Sequence, residues 1–410
     1  CELACRLPGL MGCGASSPAK MTGPTSSSAP PTSAKRRNSY QSPEMQLPAH
    51  AGGGTNPFAP NVVGSYSNQG MKPGAHGKPN AKINQDRGLI TYPLADDRSM
   101  ALLAVYDGHG ANGEQVSEFV MVKVPDLLEE AGARQLWDDT AGLLKRAFDG
   151  TDKQLRESTI AAEVSGSTGV AVLLQGERIW TANVGDSRAV IGRKRKGAAA
   201  KEFEVQALTD DQKPDTPEEQ ARIQAAGGYV SAESSEFGPA RVWLRPGEGP
   251  GLAMARSLGD HICKRVGVIS TPEVKCFDAT PEDAILVLAS DGVWEFVSNE
   301  QAIAIVAAHA SAQRGCAALI NEATKRWRKE EGSYRDDITA IVVRLPLGLQ
   351  SLARGSAAAG TQAETQAERG GASAAAVATG SATGSAAREA AAGGAAAGGA
   401  AVGGAAAGGG

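Results

Sequence analysis

Leu102-Leu103-Ala104-Val105-Tyr106 is a short apolar run, and it stops at Asp107-Gly108-His109-Gly110. The run reads as a buried strand and the stop as a turn. The same event recurs along the chain. Ala284–Ala289 stops at Ser290-Asp291-Gly292, and Ile338–Leu345 begins just after Asp336-Asp337. Val170–Leu174 and Arg178–Val184, joined through Gly176-Glu177, read as a hairpin; the next strand, Arg188–Ile191, follows Gly185-Asp186-Ser187. Asp86 stands at a further boundary, in Asn84-Gln85-Asp86-Arg87.

Helices lie between these strands. Thr216-Pro217-Glu218-Glu219 opens one that Gly227 closes. Ser298 with Gln301 forms a capping box for a helix over Ala302–His309. Glu114–Glu130 and Leu136–Glu163 also read as helical. Hairpins and long helices come in groups rather than in strict alternation, which predicts an α+β domain built on antiparallel sheets.

The acids carry the chemistry. One aspartate at a strand end is usually a turn former. Asp86, Asp107, Asp186, Asp291 and Asp336 make five in one region. Carboxylates with a backbone carbonyl and waters suit Mg²⁺ or Mn²⁺. Two such ions roughly 3.5–4 Å apart can activate a water and clamp phosphoryl oxygens.

Composition narrows the alternatives. The chain has 410 residues, with 41 basic and 45 acidic side chains, a balance that argues against a nucleic-acid binder. No run of 18 apolar residues occurs, so no spanning helix is expected. The six cysteines form no zinc pattern, and none has an Arg six positions on. No leader pattern stands out, and an intracellular protein with reduced thiols is expected. Residues 1–61 are largely Ser, Pro, Gly, Ala and Thr, and 349–410 are almost only Ala, Gly, Ser and Thr. Both read as disordered, leaving 62–348 as the folded domain.

The chain resembles the metal-dependent protein phosphatases, the protein phosphatase 2C family. The motifs that carry the resemblance are Asn84-Gln85-Asp86-Arg87, Asp107-Gly108-His109-Gly110, Ser167-Thr168-Gly169 and Gly185-Asp186-Ser187-Arg188. Ala253-Met254-Ala255-Arg256-Ser257-Leu258-Gly259-Asp260, Ser290-Asp291-Gly292-Val293-Trp294 and Asp336-Asp337-Ile338-Thr339 complete it. They occur in family order over 84–345. The resemblance implies a four-layer α-β-β-α sandwich of two antiparallel sheets flanked by helices, with the site at one edge. It implies that Asp107 bridges two Mg²⁺ or Mn²⁺ ions and that Gly108 offers its carbonyl. Asp86, Asp291 and Asp336 complete the shells, and Asp186 with Asp291 takes a third, weaker ion. An activated water would then hydrolyse phosphoserine or phosphothreonine esters of protein substrates in line, without a phosphoenzyme. His109 would serve as general acid.

Two positions depart from the pattern. Gln85 replaces a common glutamate. Ala81 stands where animal members carry the arginine that grips phosphate, so Lys82 or Lys78 becomes the candidate. The alternatives are a catalytically inactive member serving as a binding scaffold and a hydrolase of small phosphate esters. Met11-Gly12-Cys13-Gly14-Ala15-Ser16 matches an N-myristoylation pattern if translation starts at Met11, with Cys13 a palmitoylation candidate. The expectation is a cytoplasmic monomer, with peripheral membrane attachment through acylated Gly12 and Cys13. Lys35-Arg36-Arg37-Asn38-Ser39 reads as a kinase site or membrane-surface charge. Arg193-Lys194-Arg195-Lys196 reads as a hairpin-loop decoration, and Gln212–Pro250 as a variable flap.

Overall fold

The computed structural model describes residues 57–74, 78–195, 202–233, 238–346, 348–350 and 352. At its centre lies the strand Met100–His109. Side chains alternate across a strand. Here Ala101, Leu103 and Val105 enter one core while Leu102, Ala104 and Tyr106 enter another. Burial on both faces is why this run is continuously apolar.

The central strand pairs with Asp86–Thr91 on one side and Gly169–Gln175 on the other. The sheet continues through Arg178–Val184 to Glu273–Asp278. Two short strands, Gly166–Ser167 and Leu258–Gly259, extend it beside His109. The second sheet runs, in spatial order, Val63–Asn68, Ile338–Arg344, Asp283–Ala289, Arg188–Lys194 and Phe203–Ala207. Its pairings are antiparallel too.

Leu103, Val105 and Val172 of the first sheet meet Ile191, Leu286 and Ile341 of the second in one buried core. The outer face of the first sheet is covered by helices Gly113–Asp138 and Thr140–Glu157, through Val116, Val120, Leu144 and Phe148. Helices Asn299–Ala307 and Ala312–Glu330 cover the outer face of the second, through Ile303, Val306, Leu319 and Trp327. The layer order is therefore α-β-β-α, as expected.

Local signals explain most boundaries. The Ser298–Gln301 capping box is present, and Pro217 opens the helix Pro217–Ala225. The expected helix 136–163 is shorter. It starts afresh at Thr140, where the Asp139 side chain accepts from Gly142 N, and stops at Glu157, after which Ser158 is extended. The preceding helix is broken at Gly132. The helix Ala312–Glu330 was not anticipated, although Cys316, Leu319, Ile320, Ala323 and Trp327 recur at helical spacing behind the Ser311 cap.

The packed core also reaches past the expected limits of 62–348. Phe58 is 8 % exposed and its ring centroid lies 4.9 Å from that of Tyr92. Leu352 is 1 % exposed in the same inter-sheet core. Phe58→Ala is expected to cost about 3 kcal/mol, read as a lowered urea midpoint at unchanged slope. Gly12, Cys13, the Lys35–Ser39 segment and Lys196 lie outside the described residues. Among the described residues, no helix is long and apolar enough to cross a membrane.

Candidate active site

Antiparallel pairing brings the acid-bearing strand ends to one edge of the sandwich. Asp86 opens its strand directly across from Asp107 in the register. Asp186 sits in the turn after Arg178–Val184. Asp291 begins the one-turn helix Asp291–Trp294 behind Asp283–Ala289, and Asp336 lies two residues before Ile338–Arg344. Lys82, Asp107, Gly108, His109, Asp291 and Asp336 line a cleft of about 410 Å³. Asp86 and Asp186 are buried, 3 % and 2 % exposed. Gly108 is fixed by space: a Cβ there would lie 2.6 Å from Gln85 O and closer still to Gly113 O.

So many buried carboxylates repel one another. Burial, then the neighbouring Asp337, pushes Asp86 up to about 8, although the Ser290 hydroxyl donates to its Oδ2 at 2.7 Å. Burial, then Asp86 and Asp291, drives Asp107 well above the usual carboxylate range. Burial, then Asp186 and Asp336, pushes Asp291 up to about 6. The remaining two acids are matched by lysines. Lys82 Nζ lies 2.6 Å from Asp336 Oδ1, and Lys213 Nζ lies 2.5 Å from Asp186 Oδ2. Against burial, Lys213 holds Asp186 below its ordinary value.

The resemblance implies divalent ions among these groups. Among the described residues, no three His, Cys, Asp or Glu side chains form a cluster that would hold an ion, and two of the acids pair with lysines. Asp86 Oδ1 and Asp291 Oδ1 are nonetheless buried without a hydrogen-bond partner. Oxygen-only donors, orphaned carboxylate oxygens and uncompensated like charge fit a hard divalent cation.

Beside the acids stands a pair that the sequence did not reveal. His109 Nε2 lies 2.7 Å from Asp260 Oδ2, the acid 151 residues further along. Asp260 is 2 % exposed and adopts φ +47°, a left-handed conformation held by its N–H on Ser165 O and by Asp152 Oδ1 on Gly259 N. Gly166 gives the pair room, because a Cβ there would lie 2.7 Å from His109 Nε2. Burial opposes the charged imidazole, but Asp260 outweighs it and raises the His109 pKa. The second ring nitrogen, Nδ1, has no hydrogen-bond partner.

Other expected residues fall elsewhere. Lys78 is exposed and does not line the cleft, so Lys82 is the cation of the two that reaches it. Gln85 is a clamp: its amide donates to Gly110 O at 2.8 Å and to Glu114 Oε2 at 3.1 Å. Asp337 accepts from the backbone N–H groups of Gly70 and Gln85 with its two oxygens, a task for which an asparagine has one acceptor too few. Arg193 does not decorate a loop but pairs with Asp283 at 2.6 Å. The flap is a small lobe with its own core of Ile223, Val230, Val242 and Leu252.

The comparisons agree with this geometry. The family model described as Protein phosphatase 2C matches residues 71–333. A rice protein (Oryza sativa subsp. japonica) named "Probable protein phosphatase 2C 64" is 37 % identical over 299 residues, covering 72 % of this chain and 67 % of its own length. An Arabidopsis thaliana protein named "Probable protein phosphatase 2C 35" is 35 % identical over 282 residues, covering 64 % of this chain and 79 % of its own. The fold is similar to that of the serine-threonine phosphatase 2C from Toxoplasma gondii, with TM-score 0.57, 22 % identity, and coverage of 73 % of this chain and 98 % of that one. On these grounds the chain belongs to the protein phosphatase 2C family of serine/threonine phosphatases.

Proposed function

We propose that the protein hydrolyses phosphoserine and phosphothreonine esters of protein substrates, with two divalent cations and without a covalent phosphoenzyme. The observation that supports the reading is that Asp107, Asp291 and Asp336 line one cleft, with Asp86 across from Asp107 in the register and buried carboxylate oxygens left unpartnered on Asp86 and Asp291. These four acids and the Gly108 carbonyl would hold Mg²⁺ or Mn²⁺. When bound, the ions supply Lewis-acid charge and lower the pKa of a coordinated water.

The chain's own groups do the rest. Lys82 lines the cleft from a mostly buried position, 13 % exposed, and would serve as a point charge for the phosphoryl oxygens. Asp260 favours the protonated form of His109 and fixes its ring through Nε2. The Nδ1–H, which has no partner among the described residues, would donate to the leaving serine or threonine oxygen. Thr168 fixes the Asp107 backbone from both sides, its Oγ1 accepting from Asp107 N at 3.0 Å and its N–H donating to Asp107 O at 2.9 Å. None of the described cysteines, Cys263, Cys276 and Cys316, lines the cleft to act as a nucleophile.

The test is phosphate release from a phosphothreonine peptide by the purified full chain in Mn²⁺, in Mg²⁺ and in EDTA. Turnover in either metal and its loss in EDTA are expected. A folded protein that releases no phosphate in either metal would sink the reading and leave the inactive scaffold.

A further inference from the structure

Lys82 shares its counter-ion. Its ammonium pairs with Asp336, and Asp336 is also one of the acids that would hold a cation. We propose that Tyr334 is the positioning residue that keeps Lys82 at the phosphoryl group, its ring holding the ammonium when the charge of Asp336 is engaged elsewhere. The proposal rests on the reading of Lys82 as the phosphate grip.

The ammonium has two neighbours. Lys82 Nζ lies 2.6 Å from Asp336 Oδ1 and 5.6 Å from the centroid of the Tyr334 ring, over which it stands. A ring face attracts a cation within about 6 Å of its centroid. The Tyr334 hydroxyl donates to Asp336 Oδ2 at 3.3 Å, so ring and carboxylate form one cradle around the lysine. Lys82 and Asp336 line the cleft and Tyr334 does not, so Tyr334 acts through them.

The backbone holds this cradle together. Met71 N donates to Arg335 O at 2.7 Å, and Arg335 N donates to Met71 O at 3.0 Å. Arg335 stands between Tyr334 and Asp336, and side chains two apart in an extended segment share a face. On the other side of Met71, the Gly70 carbonyl accepts from Lys82 N at 2.9 Å. A Cβ at Gly70 would lie 2.9 Å from Lys82 Cδ, so the glycine leaves room for the lysine stem. The ring is fixed from behind. It meets Trp327 edge-on with centroids 5.9 Å apart, and Trp327 meets Phe296 at 4.8 Å. Trp327 is itself anchored, its Nε1 donating to Gly292 O at 2.7 Å.

An ion pair and a ring contact differ in what disturbs them. A carboxylate that holds a divalent cation has less charge left for an ammonium, and the cation repels that ammonium. A neutral ring keeps its pull on the ammonium in either condition and does not compete for the cation. Tyr334 is therefore the partner that Lys82 can retain while Asp336 serves another group.

Binding of inorganic phosphate in saturating Mg²⁺, followed by calorimetric titration, reads the grip without turnover. The full chain would be compared with Tyr334→Phe, Tyr334→Leu, Tyr334→pentafluorophenylalanine, Lys82→Met and the Lys82→Met/Tyr334→Leu double variant, with circular dichroism confirming folding. Tyr334→Phe keeps the ring and should bind phosphate within about twofold of the wild type. Leucine removes the ring face, and the fluorinated ring keeps the shape while reversing its charge distribution. Both should weaken phosphate binding by about 3–10-fold. Both should raise KM for a phosphothreonine peptide by a similar factor with kcat little changed. The fluorinated variant answers the question if Tyr334→Leu does not fold. Once Lys82 is replaced by methionine, Tyr334→Leu should cost nothing more. Three results would overturn the proposal while leaving Lys82 as the grip: undiminished phosphate affinity in a folded Tyr334→Leu or fluorinated variant, a Tyr334→Phe that loses as much as Tyr334→Leu, or a full further loss in the double variant. A Lys82→Met protein that binds phosphate as the wild type does would overturn the reading of Lys82 and the proposal with it, and so would a wild type that binds none.

Discussion

Replacing Asp107 by asparagine is expected to lower phosphate release by at least about 10³-fold and, in EDTA, to raise the melting temperature. Opposite signs on activity and stability are what a site built for cations demands. Asp107 stands across from Asp86 in the register, and Asp291, Asp336 and Asp186 also press on its charge. Burial and those neighbours raise its folded-state pKa well above the unfolded value. A group raised in this way contributes its stability at acid pH, below the unfolded pKa, and loses it as pH rises through the folded pKa. The amide is neutral at every pH and loses nothing. The Asp107→Asn variant and the wild type should therefore melt together near about pH 4, and the variant should melt higher near about pH 8. Excess Mn²⁺ should reverse the order, because only the wild type offers the full carboxylate set. Activity is measured by phosphate release and stability by thermal melts at both pH values. An Asp107→Asn protein that keeps wild-type turnover, or that melts lower than wild type in EDTA near about pH 8, would show Asp107 to be an ordinary turn former.

What the sequence made legible was local. Apolar runs that stop at Asp107, Asp186 and Asp291 could be read because a strand and the turn behind it lie within ten residues. The capping box at Ser298 and the proline at 217 marked helix starts for the same reason. Illegible were the partners that meet across the fold. Ser290 bonds Asp86 from 204 residues away, and Asp260 bonds His109 from 151. No spacing rule connects them, since the sheets and not the chain bring them together. Lys213 and Asp186 are nearer, 27 residues apart, but a lysine before a proline in a polar segment looks like any solvated charge until the fold sets it against Asp186. Lys78 stands near Ala81 in sequence, but the hairpin Met71–Pro73 with Pro79–Ala81 leaves it exposed and off the cleft lining. The helix Ala312–Glu330 had a readable stripe, and its cap at Ser311 lies only two residues beyond His309, where the preceding helix was expected to run on.

Asp260 is expected to act on the leaving group through His109 and not on substrate binding. It is a positioning residue: its carboxylate holds Nε2 of His109 at 2.7 Å, on a backbone fixed in the left-handed region by Ser165 and by the Asp152–Gly259 bond. Asp260→Asn keeps the volume and one hydrogen bond but removes the charge that favours a protonated imidazole. Turnover of a phosphothreonine peptide should fall by about 10–100-fold with little change in KM, and His109→Gln should cost about 10²–10⁴-fold, the usual range for loss of a general acid. The discriminating readout is the leaving group. The phenolate released from p-nitrophenyl phosphate departs without a proton, whereas a serine or threonine alkoxide does not. Both variants should therefore lose far less activity toward the aryl ester than toward the peptide. A purely structural role for Asp260 would slow both substrates equally, by loosening the loop that also carries Gly259. Equal losses on the two substrates would remove Asp260 from the proton path and leave its left-handed backbone as a feature of the turn alone. Unequal losses, with the peptide the worse affected, would tie the strained residue to the chemistry at the end of the central strand.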